Sequence, residues 1–228
     1  MFDVVIPIRS GSKEIKNKNI KKFNRDNLTN LLLKKIINLK DINRIFILTD
    51  STDYKKKIIK HKKINTEYIR LKKHSADNSI IYDLVNHFFK WLDIKKYKTE
   101  KILLLQVTSP LLHKNEISKT ISFIKQKKIN SLFHVSEMIE HPYECIKGFK
   151  KKWSHLIKNN KVNRQNFDSF YFITGSLWFF TKKFFLKYKK FYNKKSYAYK
   201  IDKINFVDID TMFDFEIAKK LTNLKIRN

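Results

Sequence analysis

Phe2-Asp3-Val4-Val5-Ile6-Pro7-Ile8 opens the chain and runs straight into Arg9-Ser10-Gly11-Ser12-Lys13. The first seven residues form a short, nearly continuous apolar run, the pattern of a strand buried on both faces. The five that follow are small or cationic. Small residues after a strand let backbone N–H groups approach an anion, and Arg9 and Lys13 add fixed positive charge. The loop lacks the two glycines and the Gly-Lys-Ser/Thr ending of a Walker sequence. Strands followed by polar loops are common, so this stretch alone leaves phosphate binding as one of two readings. Lys18-Asn19 follows closely and offers a second cation and an amide, although in a chain this rich in Lys and Asn the pair carries little weight alone.

Outward from that strand the same rhythm repeats. Leu28–Asn38 has helical spacing, and Arg44–Thr49 is an apolar strand ending in Thr49-Asp50-Ser51. Ser79–Ile94 reads as an amphipathic helix, with Ile80, Leu84, Val85 and Phe88 at three-to-four spacing. Lys101–Val107 predicts a buried strand, Glu116–Lys127 a helix and Asn130–Val135 another strand. Residues 141–170 lose any clean period and read either as an inserted arm that contacts a second subunit or as a solvated loop. A strand over Tyr171–Thr181 follows, then a strand over Ile204–Asp210 and a helix from Met212 onward. Short apolar strands alternating with helices imply an α/β fold, its mainly parallel sheet covered on both faces. Ligands of such sheets gather beyond the carboxyl ends of the strands, where the unusual polar residues of this sequence fall.

Composition bounds the rest. A chain of 228 residues, 42% hydrophobic and with 19 Phe, can bury a substantial core, which argues against general disorder. One cysteine, Cys145, rules out an intrachain disulfide and fits a reducing compartment. No stretch approaches the ~18 apolar residues of a spanning helix, and Met1–Ile8, with its charged Asp3, is too short for a signal sequence. A soluble, cytoplasmic protein without a membrane partner is expected. The net charge of +29 suggests polyanions at first sight. Only six of the 50 basic residues are Arg, however, which leaves 44 Lys, and base readout leans on Arg. Lys, Asn, Ile, Phe and Tyr share A/T-rich codons, so drift of the genome explains the excess without a nucleic-acid partner. The charge still speeds encounter with an anionic substrate.

Two further stretches carry chemistry. In Phe206-Val207-Asp208-Ile209-Asp210-Thr211 a strand would place Asp208 and Asp210 on one face. Two carboxylates there repel unless a cation lies between them, and Mg²⁺ takes one or two carboxylates plus substrate phosphate oxygens. The plainer reading is that Asp210 or Thr211 caps the next helix, with Asp214 favouring its N-terminal dipole. The two roles are compatible. Gln106-Val107-Thr108-Ser109-Pro110 ends a buried strand, where it either forms a turn or hydrogen-bonds a ligand.

Taken in order, Arg-Ser-Gly-Ser-Lys, Lys-Asn-Ile, Thr-Asp-Ser, Gln-x-Thr-Ser-Pro-Leu, His-Pro-Tyr, Arg-Gln and Val-Asp-Ile-Asp-Thr resemble the acylneuraminate cytidylyltransferases from Phe2 to about Leu221. That family includes the CMP-sialic-acid, CMP-pseudaminate and CMP-legionaminate synthetases. The resemblance implies a three-layer αβα sandwich of the nucleotide-diphospho-sugar transferase, Rossmann-like kind, forming a homodimer. It implies CTP and a sugar acid as substrates and Mg²⁺ or Mn²⁺ as cofactor. Carried over residue by residue, Arg9, Ser10, Gly11, Ser12, Lys13, Lys18, Asn19 and Ser79 would hold the nucleotide. Gln106, Thr108, Ser109, Arg164 and Gln165 would line the sugar side, and Asp208 and Asp210 would hold the metal. Arg9, Lys18 and Asp210 would be the catalytic groups.

The chain departs from the family pattern at several positions. Glu14 stands where a Gly is usual, Val107 where a Pro is, and Leu112 where an Arg follows Ser-Pro-Leu. Thr174-Gly175-Ser176 replaces Asn-Gly-Ala. Loss of an Arg fork from the cleft would shift the sugar accepted, favour another base, or leave an inactive copy serving as a partner subunit.

Overall fold

The computed structural model describes residues 1–76, 79–158, 163–203 and 207–226. One seven-stranded sheet dominates. Its strands are β1 (Phe2–Ile8), β4 (Ile42–Thr49), β5 (Ile64–Asn65), β6 (Lys101–Leu105), β7 (Ser131–Glu137), β10 (Tyr171–Thr181) and β11 (Tyr197–Lys200), in the spatial order β11-β7-β10-β6-β1-β4-β5. β1 pairs in parallel with both β4 and β6, and β4 with β5. β10 runs antiparallel to both its neighbours, β6 and β7, while β11 is parallel to β7. Two-stranded ribbons complete the β-structure: β2 (Lys22–Phe23) with β3 (Asp26–Asn27), and β8 (Ile146–Phe149) with β9 (Lys152–His155).

The helices are α1 (Leu28–Ile36), α2 (Thr52–Lys56), α3 (Ile81–Ile94), α4 (Lys114–Lys127), α5 (Lys182–Tyr188) and α6 (Met212–Ile226). Alternation along β1 divides the core. Val4, Ile6 and Ile8 face a cluster with Leu33 and Ile36 of α1, Ile117 and Ile121 of α4, and Phe215 and Ala218 of α6. Val5 faces the opposite cluster, with Leu84, Phe88 and Phe89 of α3 and Phe185 of α5. Helices therefore cover both faces, which gives the expected three layers. Asp3, the one charged residue of β1, is buried at the other end of the strand. Arg44 grips it through Nε (3.0 Å) and Nη2 (2.7 Å), and the Thr99 hydroxyl donates to it at 2.8 Å.

The long helices and central strands lie where periodicity places them. Short elements escape that reading: α2, α5, β5 and β11 are each too brief to show a period. The irregular 141–170 stretch contains the β8–β9 hairpin, in which β8 needs Gly148 because its φ is +86° and a Cβ would meet the Lys152 carbonyl oxygen at 2.2 Å. Of the strand expected over Ile204–Asp210, residues 204–206 lie outside the described set. Residues 207–210 form no ladder and are instead tied down by the Ile209 N–H, which donates to the Thr108 carbonyl at 2.9 Å.

β10 carries a bulge between Ile173 and Trp178, beside the end of β6. Gly175 lies in it at φ +69°, and the Gln106 N–H donates to the Ser176 carbonyl at 3.3 Å. Such bulges re-aim side chains next to sites. Nearby, His134 of β7 is fully buried, with Nε2 at 2.9 Å from the Thr120 hydroxyl of α4 and Nδ1 at 3.2 Å from that of Ser176. Burial pushes its pKa down to about 3, so it is neutral in the folded chain. The unfolded chain takes up this proton near the ordinary histidine pKa, so stability is present above pH ~6.5 and falls as pH drops toward 3. Urea titrations at pH 7 and pH 5 are therefore expected to show a loss on the order of 2 kcal/mol that His134→Gln lacks. Equal pH dependence in both proteins would contradict the assignment.

Candidate active site

Strand order reverses at β1: the chain goes from β1 to β4 and β5 on one side and then returns to β6 on the other. The crevice beyond the carboxyl ends of β1 and β6 is the topological switch point, where open α/β sheets bind ligands. A cleft of about 540 Å³ occupies it. Arg9, Ser12, Lys13, Lys18 and Asn19 from the loop after β1 line it, with Gln106 and Thr108 from the loop after β6. Glu14, Arg70, Ser79, Asp208 and Asp210 complete the charged and polar wall.

The loop after β1 is held by side chains at its back. Asp50, at the end of β4, accepts from the Ser10 backbone N–H at 2.9 Å and from its hydroxyl at 3.0 Å. The Tyr54 hydroxyl donates to the Ser10 carbonyl at 3.3 Å, and Asn19 Nδ2 donates to the Arg9 carbonyl at 2.9 Å. Asp50 thus shapes the loop, while Ser51 caps α2. Gly11 has no left-handed backbone, and a Cβ there would meet nothing within 4 Å. Its smallness leaves space beside the loop.

The opposite wall reaches across 191 positions of sequence. Lys18 Nζ donates to the Ile209 carbonyl at 2.6 Å and lies 3.2 Å from Asp210 Oδ1. Ile209 is buried in the core, so its neighbours Asp208 and Asp210 both turn to the cleft. Thr211 and Asp214 cap α6 reciprocally: the Asp214 carboxylate accepts from the Thr211 N–H at 2.7 Å, and the Thr211 hydroxyl accepts from the Asp214 N–H at 3.2 Å. Capping therefore leaves Asp210's carboxylate at the cleft rim.

Asp208 is half-buried, and its Oδ1 has no hydrogen-bond partner among the described residues. Burial pushes its carboxyl above the usual range; Thr108 and Lys18 pull it back, and Asp210 and Asp214 push it further up. No group of three or more His, Cys, Asp or Glu is arranged to hold an ion among the described residues. A hard cation still fits the donor set, because it binds through one or two carboxylates and completes its shell with water and phosphate oxygens. An orphaned buried carboxylate oxygen beside a second carboxylate is what such an ion would satisfy.

Not every expected residue converges. Ser10 is occupied by Asp50, and Ser109 is buried with its hydroxyl unpartnered among the described residues, away from the cleft lining. Arg164 ion-pairs with Glu144 at 2.8 Å in the arm and lines a different cavity, with His141, Asp168 and Lys203; Gln165 is exposed beside it. Leu112 is buried in the core, so no cleft contact is lost there, whereas Glu14 does face the cleft. Two residues have roles that the sequence pattern does not assign. One is Asp50; the other is Arg70, a buried guanidinium whose Nε donates to the His74 carbonyl at 2.9 Å. Burial lowers the Arg70 pKa, Asp50 opposes this, and Arg9 adds to it. Arg70 nevertheless remains a fixed cation.

A family model described as cytidylyltransferase matches residues 4–227, and the chain belongs to that family. An N-acylneuraminate cytidylyltransferase of Streptococcus agalactiae serotype V is 26% identical over 216 residues, which cover 92% of this chain and 51% of that protein. The chain thus spans about half the length of that relative. A pseudaminic acid cytidylyltransferase of Campylobacter jejuni is 25% identical over 222 residues, 95% of this chain and 94% of that protein. Among solved structures, a CMP:2-keto-3-deoxy-manno-octonic acid synthetase complexed with CTP superposes with a TM-score of 0.67 at 10% identity, covering 98% and 99% of the two chains. A 4-diphosphocytidyl-2C-methyl-D-erythritol synthase from Anaerococcus prevotii gives 0.65 at 15% identity, covering 97% and 96%. These likenesses show the fold alone.

The charged form of Asp208 is disfavoured in the fold, so above the ordinary carboxylate range its ionisation costs stability. Asp208→Asn is expected to melt at the same temperature as the wild type or a few degrees higher, about 2–4 °C, at pH 7.5 without metal. A marked drop in melting temperature would show that the carboxylate supports the fold.

Proposed function

We propose that this chain transfers CMP from CTP to the anomeric hydroxyl of a nonulosonic, sialic-type sugar acid in the cytoplasm and releases pyrophosphate. The reading rests on one observation: four cations and the Asp208–Asp210 pair line one cleft at the switch point, with Glu14 as a third carboxylate. Arg9, Lys13, Lys18 and Arg70 match the charge of a triphosphate, and Asp208 and Asp210 match the cation that accompanies it.

In the reaction the anomeric oxygen attacks the α-phosphorus, the bond to the β-phosphate oxygen breaks, and pyrophosphate leaves with that electron pair. Arg9, Lys13, Lys18 and Arg70 hold the phosphates and oppose the charge that builds on the leaving group, an electrostatic contribution preset in the fold. Asn19 and Ser79, which both line the cleft, orient the nucleoside, and Gln106 and Thr108 orient the sugar. Asp210, at the rim beside Lys18, is the carboxylate best placed to take the hydroxyl proton. Mg²⁺ held by Asp208 and Asp210 would neutralise phosphate charge when bound.

The arm belongs to the same proposal. Ile146, Phe149, Trp153 and Leu156 of the hairpin region are exposed, as are Tyr171, Phe172 and Ile173 of β10, more apolar surface than a solvated loop needs. We assign this surface to a homodimer contact. Arg164 and Gln165 are remote from their own cleft, so they reach a sugar only if a second copy's arm delivers them. Glu14 inside the cleft favours a second possibility, a sugar nucleotidyltransferase of altered base or sugar choice.

Pyrophosphate release from CTP and Mg²⁺, screened over sialic, legionaminic, pseudaminic and 2-keto-3-deoxy-manno-octonic acids, tests the reading. Turnover with one sugar is expected, lowered by about 10²-fold or more in Asp210→Ala. Release with another nucleotide only would favour the second possibility, and silence with every nucleotide from folded protein would overturn both.

A further inference from the structure

A second cleft, about 380 Å³, lies on the outer side of the turn that walls the candidate active site. Its lining is Lys73 and His74 from that turn, and Asp83, Asn86, His87 and Lys90 from α3. The four helix residues fall at one-turn spacing, so a single face of α3 supplies them. His74 is nine-tenths buried, and its Nε2 has no hydrogen-bond partner among the described residues. His87 stands with its ring centroid 5.4 Å from that of His74, and its Nδ1 lies 2.8 Å from the buried Tyr68 hydroxyl. That contact fixes the His87 ring and leaves its other nitrogen for the cleft.

We propose that this cleft is a binding site for a phosphate-class anion, distinct from the triphosphate site. With both histidines neutral its lining carries two ammonium groups against one carboxylate, and protonation of the histidines adds two more positive charges beside the orphaned nitrogen. The same balance argues against a metal, because two lysines stand where a cation would bind. The groups facing His74 are Lys73 on its own turn, Arg70 on the preceding segment, and Asp83 and His87 on α3. Those facing His87 are Lys73 and Lys90, with the Tyr68 hydroxyl beneath. Burial and these cations hold both histidines below the ordinary histidine pKa, and a bound dianion reverses the balance. Binding is therefore accompanied by proton uptake and strengthens as pH falls from 8 to 6.

The site's position gives it a consequence. The His74 carbonyl accepts from Arg70 and, at 2.8 Å, from the Ser79 hydroxyl, and the Ser75 carbonyl accepts from Arg9 Nη1 at 3.3 Å. Three residues of the inner cleft thus hang from the backbone of the turn whose outer side chains would grip the anion.

Calorimetric titration of the whole chain with inorganic pyrophosphate, and separately with inorganic phosphate, at physiological salt tests the proposal. Arg9→Ala should keep the outer site, whereas Lys73→Gln/Lys90→Gln, both at exposed positions, should weaken it about tenfold or more. The ¹H–¹³C signals of the His74 and His87 rings should shift on binding, and affinity should fall about tenfold from pH 6 to pH 8. Binding that survives intact in the double lysine variant, or leaves both histidine signals unmoved, overturns the proposal. Neither readout requires turnover, so failure of the proposed reaction would leave this result independent.

Discussion

The ammonium group of Lys18 closes the site. It lies in the short segment after the first strand, and it bonds to a carbonyl and a carboxylate almost two hundred residues later. Beside that bridge, Ile209 packs in the same core cluster as Ile8 and Ile15, and its amide donates to the Thr108 carbonyl. A cation shared between a backbone oxygen and a rim carboxylate is a polar contact whose strength depends on what else enters the cleft. That suits a wall that must accept a polyanion and its counter-ion together.

The sheet makes the bridge possible. β1 is buried on both faces between two helix layers, and its carboxyl end is fixed in position by Ile8, Ile15 and the Asp50 carboxylate beneath Ser10. The loops after β1 and β6 emerge side by side because the chain crosses over between them. The bulge in β10 turns Gln106 and Ser176 toward each other at the same edge. Rigid apolar strands thus carry a polar, charge-dense rim, and the electrostatic tension at Asp208 is tolerated because the core beneath it is large.

Much of this was legible in the chain because hydrophobic period reports burial, and β1, β4, β6, α3 and α4 are long enough to show it. The paired aspartates were legible too, although not as a strand: alternation around the buried Ile209 survives in an irregular segment. What stayed hidden depended on tertiary contact. Asp50 meets Ser10 only through the pairing of β1 with β4, while Ser51 caps the helix that follows. Leu112 looked like a lost cleft contact, but the loop after β6 turns it into the core. Arg70 carried one signal that went unread. In a chain that uses Lys for nearly every cation, an Arg marks a place where a planar fork is needed, as at Arg44 on Asp3 and Arg70 on the His74 carbonyl.

The most direct test is calorimetric titration of CTP, with and without Mg²⁺, into the wild type and Lys18→Ala. If Lys18 joins the phosphate-facing loop to the carboxylate pair, the variant will stay folded and bind CTP about 10- to 100-fold more weakly, with little remaining gain from Mg²⁺. Unchanged affinity and an unchanged Mg²⁺ effect would show that the nucleotide lies elsewhere and that the cleft is not the site.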